Sequence, residues 1–402
     1  MTQTDINSKL PPETVDRIID HLFDDKPSLA ACSLVCKQWE PAARFHLFHT
    51  ITIVYKTFDD LNIIVTERRF DQAEHVLSYT KEYRIDFATN QFTLIDLWPM
   101  LPFMPNVHTL CLSALINALE DIAIANPKSE SFAIFPNIHT LKLELYSVLS
   151  LTPYLLHVIF HMFPNLRNFL MFMPYFTAGT TINDDFDSVV IPQTLRLTFV
   201  KFDKPSITPR KFLQVLSSTP TAHSLTSLDL GCLFGTDRYM AFKDVAPEMK
   251  KNLQTLRLGL CDPSGLNITT ASPLDIDTTR QELALHEFSS LHTFNVIVPD
   301  PRSNNIDAHR INIQLIGWIH PDITTIVMEF GSFYKVTAIP SSFPSETWTE
   351  LAGLIPHFKK LKSLRILRVE DAGANSGPLD DELQVEVSKA LPNISSKGLL
   401  QF

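Results

Sequence analysis

Glycine is scarce in this chain, with eleven in 402 residues. None of them builds a G-x-x-x-x-G-K phosphate loop, and no G-x-S-x-G nucleophile elbow occurs. Cysteine is also sparse. Five scattered thiols, an odd number, suit a reducing compartment (cytoplasm and/or nucleus) better than a disulfide framework. The sequons at Asn267 and Asn393 are then incidental. Positive charge is in deficit: 34 basic against 44 acidic residues give a net charge of −10. That argues against a general nucleic-acid binder, which is basic overall or carries a basic stripe. No apolar run reaches the ~18–20 residues of a membrane span. The nearest, Tyr154 to Phe176, is interrupted by Pro164, Asn165, Arg167, Asn168 and Pro174, and reads as a helix, a turn and a strand in a soluble core. Residues 1–9 are polar, include Asp5 and read as a disordered tail rather than a signal peptide. Thr2 excludes the N-terminal myristoylation pattern.

Catalytic and metal-binding constellations are missing too. His157 and His161 stand four apart on an expected helix, but no Glu lies between them and a zinc site needs three or four ligands. Asp184, Asp185 and Asp187 lack the spaced Gly and distal Glu of a calcium loop. Cys32 with Cys36, and Cys232 with Cys261, read as packing residues. No cofactor, no metal site and no catalysis by this chain are expected.

What the chain does have is 45% hydrophobic residues in two kinds of pattern. The first runs from Leu10 to Ile53. Val15, Ile18, Ile19 and Leu22 fall at i, i+3, i+4 and i+7, one stripe of a helix. Pro11 and Pro12 suit its start, and Glu13 suits the positive end of its dipole. Asp24 to Pro27 reads as a break, with Ser28 capping a second helix whose stripe is Leu29, Cys32, Val35 and Cys36. A third helical piece carries Trp39, Ala42, Ala43, Leu47 and Phe48. A unit of this size seldom builds a sufficient core alone, so its surplus apolar surface needs cover from the rest of the chain or from another protein. The plainer reading is a helical cap on the domain behind it.

Leu10-Pro11-Pro12-Glu13, Ile18-Ile19, Leu22, Cys32 to Trp39, Arg44 and Leu47-Phe48, in that order and spacing, resemble an F-box. The resemblance implies a three-helix module that docks on the Skp-type adaptor of cullin–RING ubiquitin ligases. By motif position, Leu10, Pro11, Ile18, Leu22, Leu29, Val35 and Trp39 form the adaptor-facing or supporting apolar surface. The motif leaves open which of them touch the adaptor and which pack inside the module.

The second pattern returns along residues 54–370: apolar, two others, apolar, one other, apolar. Leu253-Gln-Thr-Leu256-Arg-Leu258, Leu225 to Leu230 and Ile138 to Leu143 are clear copies. The last two apolar positions mark pairs beginning at Leu110, Leu141, Phe169, Leu195, Leu228, Leu256, Phe294, Ile326 and Leu364, with spacings of 31, 28, 26, 33, 28, 38, 32 and 38 residues. Ile51/Ile53 and Ile85/Phe87 read as earlier, degenerate members. A period in this range means stacked repeats. Alternation makes each pair a strand with one buried face. Helical stripes lie between, at 154–163, 211–216, 311–319 and 348–358, and Pro105, Pro136, Pro164, Pro192 and Pro321 mark helix-to-strand corners. Leu253 to Cys261 resembles the L-x-x-L-x-L-x-x-C core of leucine-rich repeats. The expected fold is an α/β solenoid: a three-helix F-box over 10–53, then an irregular leucine-rich-repeat-like parallel sheet with helices on the convex side. Over 371–402 we expect a linker, including Gly373 to Pro378, and a capping helix with Leu383, Val387 and Leu391.

Two rows lie on the open face of that sheet. The residue before each apolar pair is Thr or Ser in eight of nine cases, which suits an exposed ladder. The central residues place Arg196, Asp229 and Arg257 on successive strands. Such a row either stabilises the sheet, the commoner use, or forms a concave patch for an acidic or phosphorylated substrate segment. Pro299 to Asn312 and Thr180 to Ser188 read as loop insertions. The resulting functional expectation is a substrate-recognition subunit of an SCF-type cullin–RING ubiquitin ligase, with partners an adaptor, a cullin through it, and an unidentified protein substrate. The alternative is a scaffold that binds the adaptor without a role in ubiquitylation. A cryptic hydrolase or transferase site is disfavoured by the missing motifs.

Overall fold

The computed structural model describes residues 10–54, 78–87, 101, 105–114, 134–145, 153–172, 191–203, 209–233, 241–260, 276–299, 306–331, 345–369, 376–379 and 381–402. The expected N-terminal tail, the Thr180 to Ser188 insertion with its three aspartates, Cys261 and Asn267 lie outside them. The chain divides into two compact units, Met1–Ser147 and Val148–Phe402.

In the first unit, α1 (Pro12–Asp20), α2 (Lys26–Val35) and α3 (Glu40–Phe48) precede four strands: β1 (Thr50–Val54), β2 (Glu82–Phe87), β3 (Thr109–Ala114) and β4 (Thr140–Leu145). The strands pair in parallel in chain order. Alternation sends Tyr83, Ile85, Leu110, Leu112, Leu141 and Leu143 into the core. The second degenerate pair is therefore Tyr83/Ile85, not Ile85/Phe87: Ile51 and Ile53 stand opposite Tyr83 and Ile85. The Pro105–Asn106 and Pro136–Asn137 corners carry a regularity beyond the apolar pattern. Asn106 Nδ2 donates to Ser78 O at 2.7 Å, and Asn137 Nδ2 donates to Pro105 O at 2.9 Å, each reaching back about one repeat.

The second unit continues the scheme with β5 (Asn168–Phe172), β6 (Phe199–Asp203), β7 (Ser227–Leu233), β8 (Thr255–Leu260), β9 (Thr293–Pro299), β10 (Thr325–Gly331) and β11 (Ser363–Val369), parallel neighbours in chain order. Interleaved with them are α4 (Pro153–Met162), α5 (Pro209–Ser217), α6 (Thr221–Ser224), α7 (Pro247–Asn252), α8 (Ile276–Leu283), α9 (Ile306–Trp318) and α10 (Ser345–Leu354). Helices and strands meet in an apolar layer. At one end of it Phe160 of α4, Phe169 of β5, Phe202 of β6 and Phe212 of α5 interlock with ring centroids 5.0–6.4 Å apart. On α9, Asn312 is fully buried; its amide accepts from Leu260 N and donates to Leu260 O, both at 2.7 Å, so one side chain satisfies the end of β8.

A bifurcated carbonyl sets the start of each strand from β6 to β11. Arg167 O accepts from Thr198 N and Phe199 N, and Thr198 O accepts from Thr226 N and Ser227 N; Thr226, Gln254, His292 and Thr324 repeat the pattern. This ladder corrects the expected position of β6. Val200 and Phe202, not Leu195 and Leu197, align with Phe169 and Met171. Leu195 and Leu197 are buried in the approach to the strand. The spacings around β6 become 31 and 28 residues in place of 26 and 33.

Two further expectations change. From Pro299 to Asn312, β9 includes Pro299 and α9 begins at Ile306; 300–305 lie outside the described residues. At the C-terminus α11 (Asp381–Ala390) buries Leu383 and Val387, and Leu391 follows them into the core. Ser376–Pro378, however, forms β12, antiparallel to β11, instead of a linker. After α12 (Pro392–Ser395), β13 (Leu400–Gln401) pairs in parallel with β11. These short strands occupy the outer edge of β11, where bare N–H and C=O groups would otherwise invite another chain.

Candidate functional site

The three N-terminal helices close around Val15, Ile19, Leu29 and Ala43, with Leu22, Cys32, Trp39, Ala42 and Leu47 packed against them. Pro11 caps α1 and Pro12 opens it. The cap of α2 is Asp25, not Ser28: its carboxylate accepts from Ser28 N and Ser28 Oγ, and these bonds hold the Asp25 carboxyl below the usual carboxylate range. Lys26 and Pro27 thereby belong to the first turn, where a missing N–H is harmless. His46 of α3 lies 2.8 Å from Asp20 of α1, and Lys26 Nζ donates to His46 O. Gln38 Nε2 donates to Leu10 O at 3.3 Å, tying the leading segment to the turn before α3.

Burial separates the seven motif residues. Leu29 is fully buried, and Leu22 and Trp39 are partly buried against the core. Leu10, Pro11, Ile18 and Val35 are exposed. Ile18 thus leaves the stripe it shares with Val15 and Ile19. Three exposed apolar residues fall outside the motif assignment: Phe23, Phe45 and above all Leu34, which is 86% exposed. The signal for Leu34 was present in the sequence, as an apolar side chain off the Leu29–Cys32 stripe.

On the open face of the first unit, Glu82, Arg84, Cys111, Ser113, Lys142 and Glu144 form a small grid. Arg84 and Lys142 both pair with Glu82, at 3.2 and 3.7 Å, and Ser113 Oγ donates to Glu144 Oε2 at 2.6 Å. Burial pushes the Cys111 thiol up to about 12, with Glu82 adding to it, so this thiol is inert at neutral pH.

On the open face of the second unit the expected row of Arg196, Asp229 and Arg257 changes. Arg196 precedes β6, is exposed, and donates from Nη1 to Thr194 O at 3.0 Å. The residue opposite Asp229 is Lys201, whose Nζ lies 3.7 Å from Asp229 Oδ2. Arg257 reaches across β9 to Glu329 on β10, donating from Nε and Nη2 at 3.0 and 2.7 Å, and from Nη1 to Asp229 Oδ1 at 2.9 Å. Burial alone would favour loss of its proton, but the two carboxylates outweigh it and raise the guanidinium above its ordinary value. Backbone shape supports this arrangement. Gly231 sits at φ +58° in an irregular stretch of β7 and donates its N–H to Asp229 Oδ1. At Gly259 a Cβ would lie 2.6 Å from Ile297 O, so only glycine lets β8 and β9 close. Glu329 was missed in the sequence because 72 residues separate it from Arg257.

The histidines of α4 also find a local role: His161 Nδ1 donates to His157 O, with the rings 4.1 Å apart. Among the described residues no three His, Cys, Asp or Glu side chains are grouped to hold a metal ion, and no helix is long and apolar enough to cross a membrane.

Comparison with curated proteins finds no match. Comparison with protein families finds one over residues 7–54, the F-box-like family. The three helices with their exposed apolar residues thus form an F-box-like domain, placed ahead of a solenoid-like α/β repeat region.

Proposed function

We propose that this chain is the substrate-recognition subunit of an SCF-type cullin–RING ubiquitin ligase. Its F-box-like domain docks on a Skp-type adaptor, and the leucine-rich-repeat-like strands bind a protein substrate. The observation that carries the reading is the set of exposed apolar residues around an F-box-like core: Leu10, Ile18, Phe23, Leu34 and Val35. Full burial of one such side chain contributes about 1.5–3 kcal/mol. Several together offset the roughly 4–15 kcal/mol lost on association. Leu10, Pro11, Ile18 and Val35 contact the adaptor in this reading, extended by Phe23 and Leu34, while Leu22, Leu29 and Trp39 support them from inside. The chain itself contributes binding and no catalytic group.

The test is co-purification of the wild type and a Leu10→Ala/Pro11→Ala variant from eukaryotic cells, probing for adaptor, cullin and ubiquitylated material. Loss of adaptor and cullin from a variant with unchanged circular dichroism is the expected result. A wild type that retains adaptor without cullin supports the scaffold alternative. A wild type that retains neither refutes the proposal.

A further inference from the structure

We infer that the open face at β5 and β6 docks an extended, acidic segment of a partner protein that carries an apolar side chain. The inference rests on the proposal that the repeats recognise a protein, and it names the surface and the chemistry. In β5 the open-face residues Asn168, Leu170 and Phe172 are half-buried while Phe169 and Met171 are sealed in the core. In β6 the corresponding residues are Phe199 and Lys201. Elsewhere in this unit the first row holds Ser227, Thr255, Thr293, Thr325 and Ser363, and Phe199 is its one aromatic. Phe199 stands opposite Asn168 and Leu170 opposite Lys201, so Phe199 and Leu170 are diagonal neighbours, within reach of a shared apolar contact.

Charge supplies the second argument. Arg84, Lys142, Lys201 and Arg257 on the open faces are each neutralised by a carboxylate of the same sheet. Arg167, the residue before β5, and Arg196, three residues before β6, are exposed and meet no carboxylate among the described residues; Arg196 uses one nitrogen on Thr194 O. In a chain of net charge −10, two guanidiniums without a carboxylate stand at the entry to strands whose open face carries the half-buried Leu170 and Phe199. Arg365 on β11 is likewise exposed without a carboxylate among the described residues, but its row neighbours are the buried Val327 and the polar Gln401. The forks of Arg167 and Arg196 match carboxylates. A polyphosphate backbone fits less well, because Asp229 borders the patch and holds Lys201. The bound segment places its carboxylates on Arg167 and Arg196 and its Leu or Phe side chain against Leu170 and Phe199.

The experiment is selection of a displayed random-peptide library on the full chain. It needs neither adaptor nor cullin, so its outcome is independent of the co-purification result. Enriched peptides are expected to carry Asp or Glu flanking Leu or Phe. A labelled enriched peptide should bind roughly tenfold or more weakly to Arg167→Glu, Arg196→Glu and Phe199→Ser, and less tightly at high salt. Phe199→Ser installs the residue type normal for that row, so the fold should persist, as unchanged thermal unfolding would show. Arg365→Glu, on β11 about 24 Å from β6 at ~4.8 Å per strand, should bind as the wild type does. No enrichment, enrichment without acidic residues, equal loss in Arg365→Glu, or displacement of the peptide by a single-stranded oligonucleotide would each overturn the inference.

Discussion

Replacing Arg257 by methionine removes a guanidinium that three hydrogen bonds hold against Glu329 and one against Asp229. Arg257 is 20% exposed at its side chain, Asp229 10% and Glu329 8%, so the loss falls on charges largely withdrawn from water. Asp229 keeps the Gly231 N–H and Lys201, whereas Glu329 keeps no other ion-pair partner among the described residues. Removing one member of such a pair typically costs about 3–5 kcal/mol. Replacing both with apolar residues removes the stranded charge, so Arg257→Met/Glu329→Leu should recover most of that loss, to within about 1–2 kcal/mol of wild type. Urea unfolding of wild type, both single variants and the double variant gives the coupling directly. A cost below about 1 kcal/mol for Arg257→Met would show that the pair behaves as a surface ion pair. A double variant as unstable as Arg257→Met would show that packing of the Arg257 stem, not charge pairing, supplies the stability. Because Arg257 is neutralised within the sheet, selected-peptide binding should be unchanged in the folded double variant.

Asn312→Ala should leave Leu260 N–H and C=O unpaired, costing about 1–3 kcal/mol for each group that water does not reach, and the Leu260 amide should lose hydrogen-exchange protection. Gly259→Ala must push β9 away, since the new Cβ would lie 2.6 Å from Ile297 O and 2.8 Å from Ile297 Cβ; a loss of roughly 1–3 kcal/mol in urea unfolding is expected. For Glu82, burial opposes ionisation, but Lys142, the Cys111 hydrogen bond and Arg84 together hold its carboxyl below the ordinary 4.5. A lowered folded-state value means this contribution is full above 4.5 and lost as pH falls through the folded-state value. Glu82→Gln should therefore flatten the acid limb of the stability-versus-pH curve, and an unaltered limb would refute the assignment. Leu29→Ala should destabilise the F-box-like domain by about 2–5 kcal/mol, read as a lower unfolding midpoint, whereas Leu34→Ala should leave that midpoint within about 0.5 kcal/mol and weaken adaptor capture.

The apolar alternation was enough to place most strands. Leu110, Leu141, Phe169, Leu228, Leu256, Phe294, Ile326 and Leu364 all lie where a two-residue period with one buried face requires. The helical stripes at 154–163, 311–319 and 348–358 likewise correspond to α4, α9 and α10 with its following turn. Leu10 to Ile53 contained the F-box-like core because 3.6-residue periodicity is local. Tertiary structure decided what local pattern leaves degenerate. Leu195/Leu197 and Val200/Phe202 alternate equally well, and only the Arg167 carbonyl ladder selects the second pair and puts Lys201, not Arg196, beside Asp229. Asp25 and Ser28 are both capping residue types, and the backbone path chose Asp25. The Arg257–Glu329 pair, the partitioning of Ile18 from Ile19 and the pairing of β12 and β13 with β11 depend on which surfaces meet. Sequence periodicity fixes which side of an element is apolar, but contacts between distant segments decide which apolar residues are covered and which charges are neutralised.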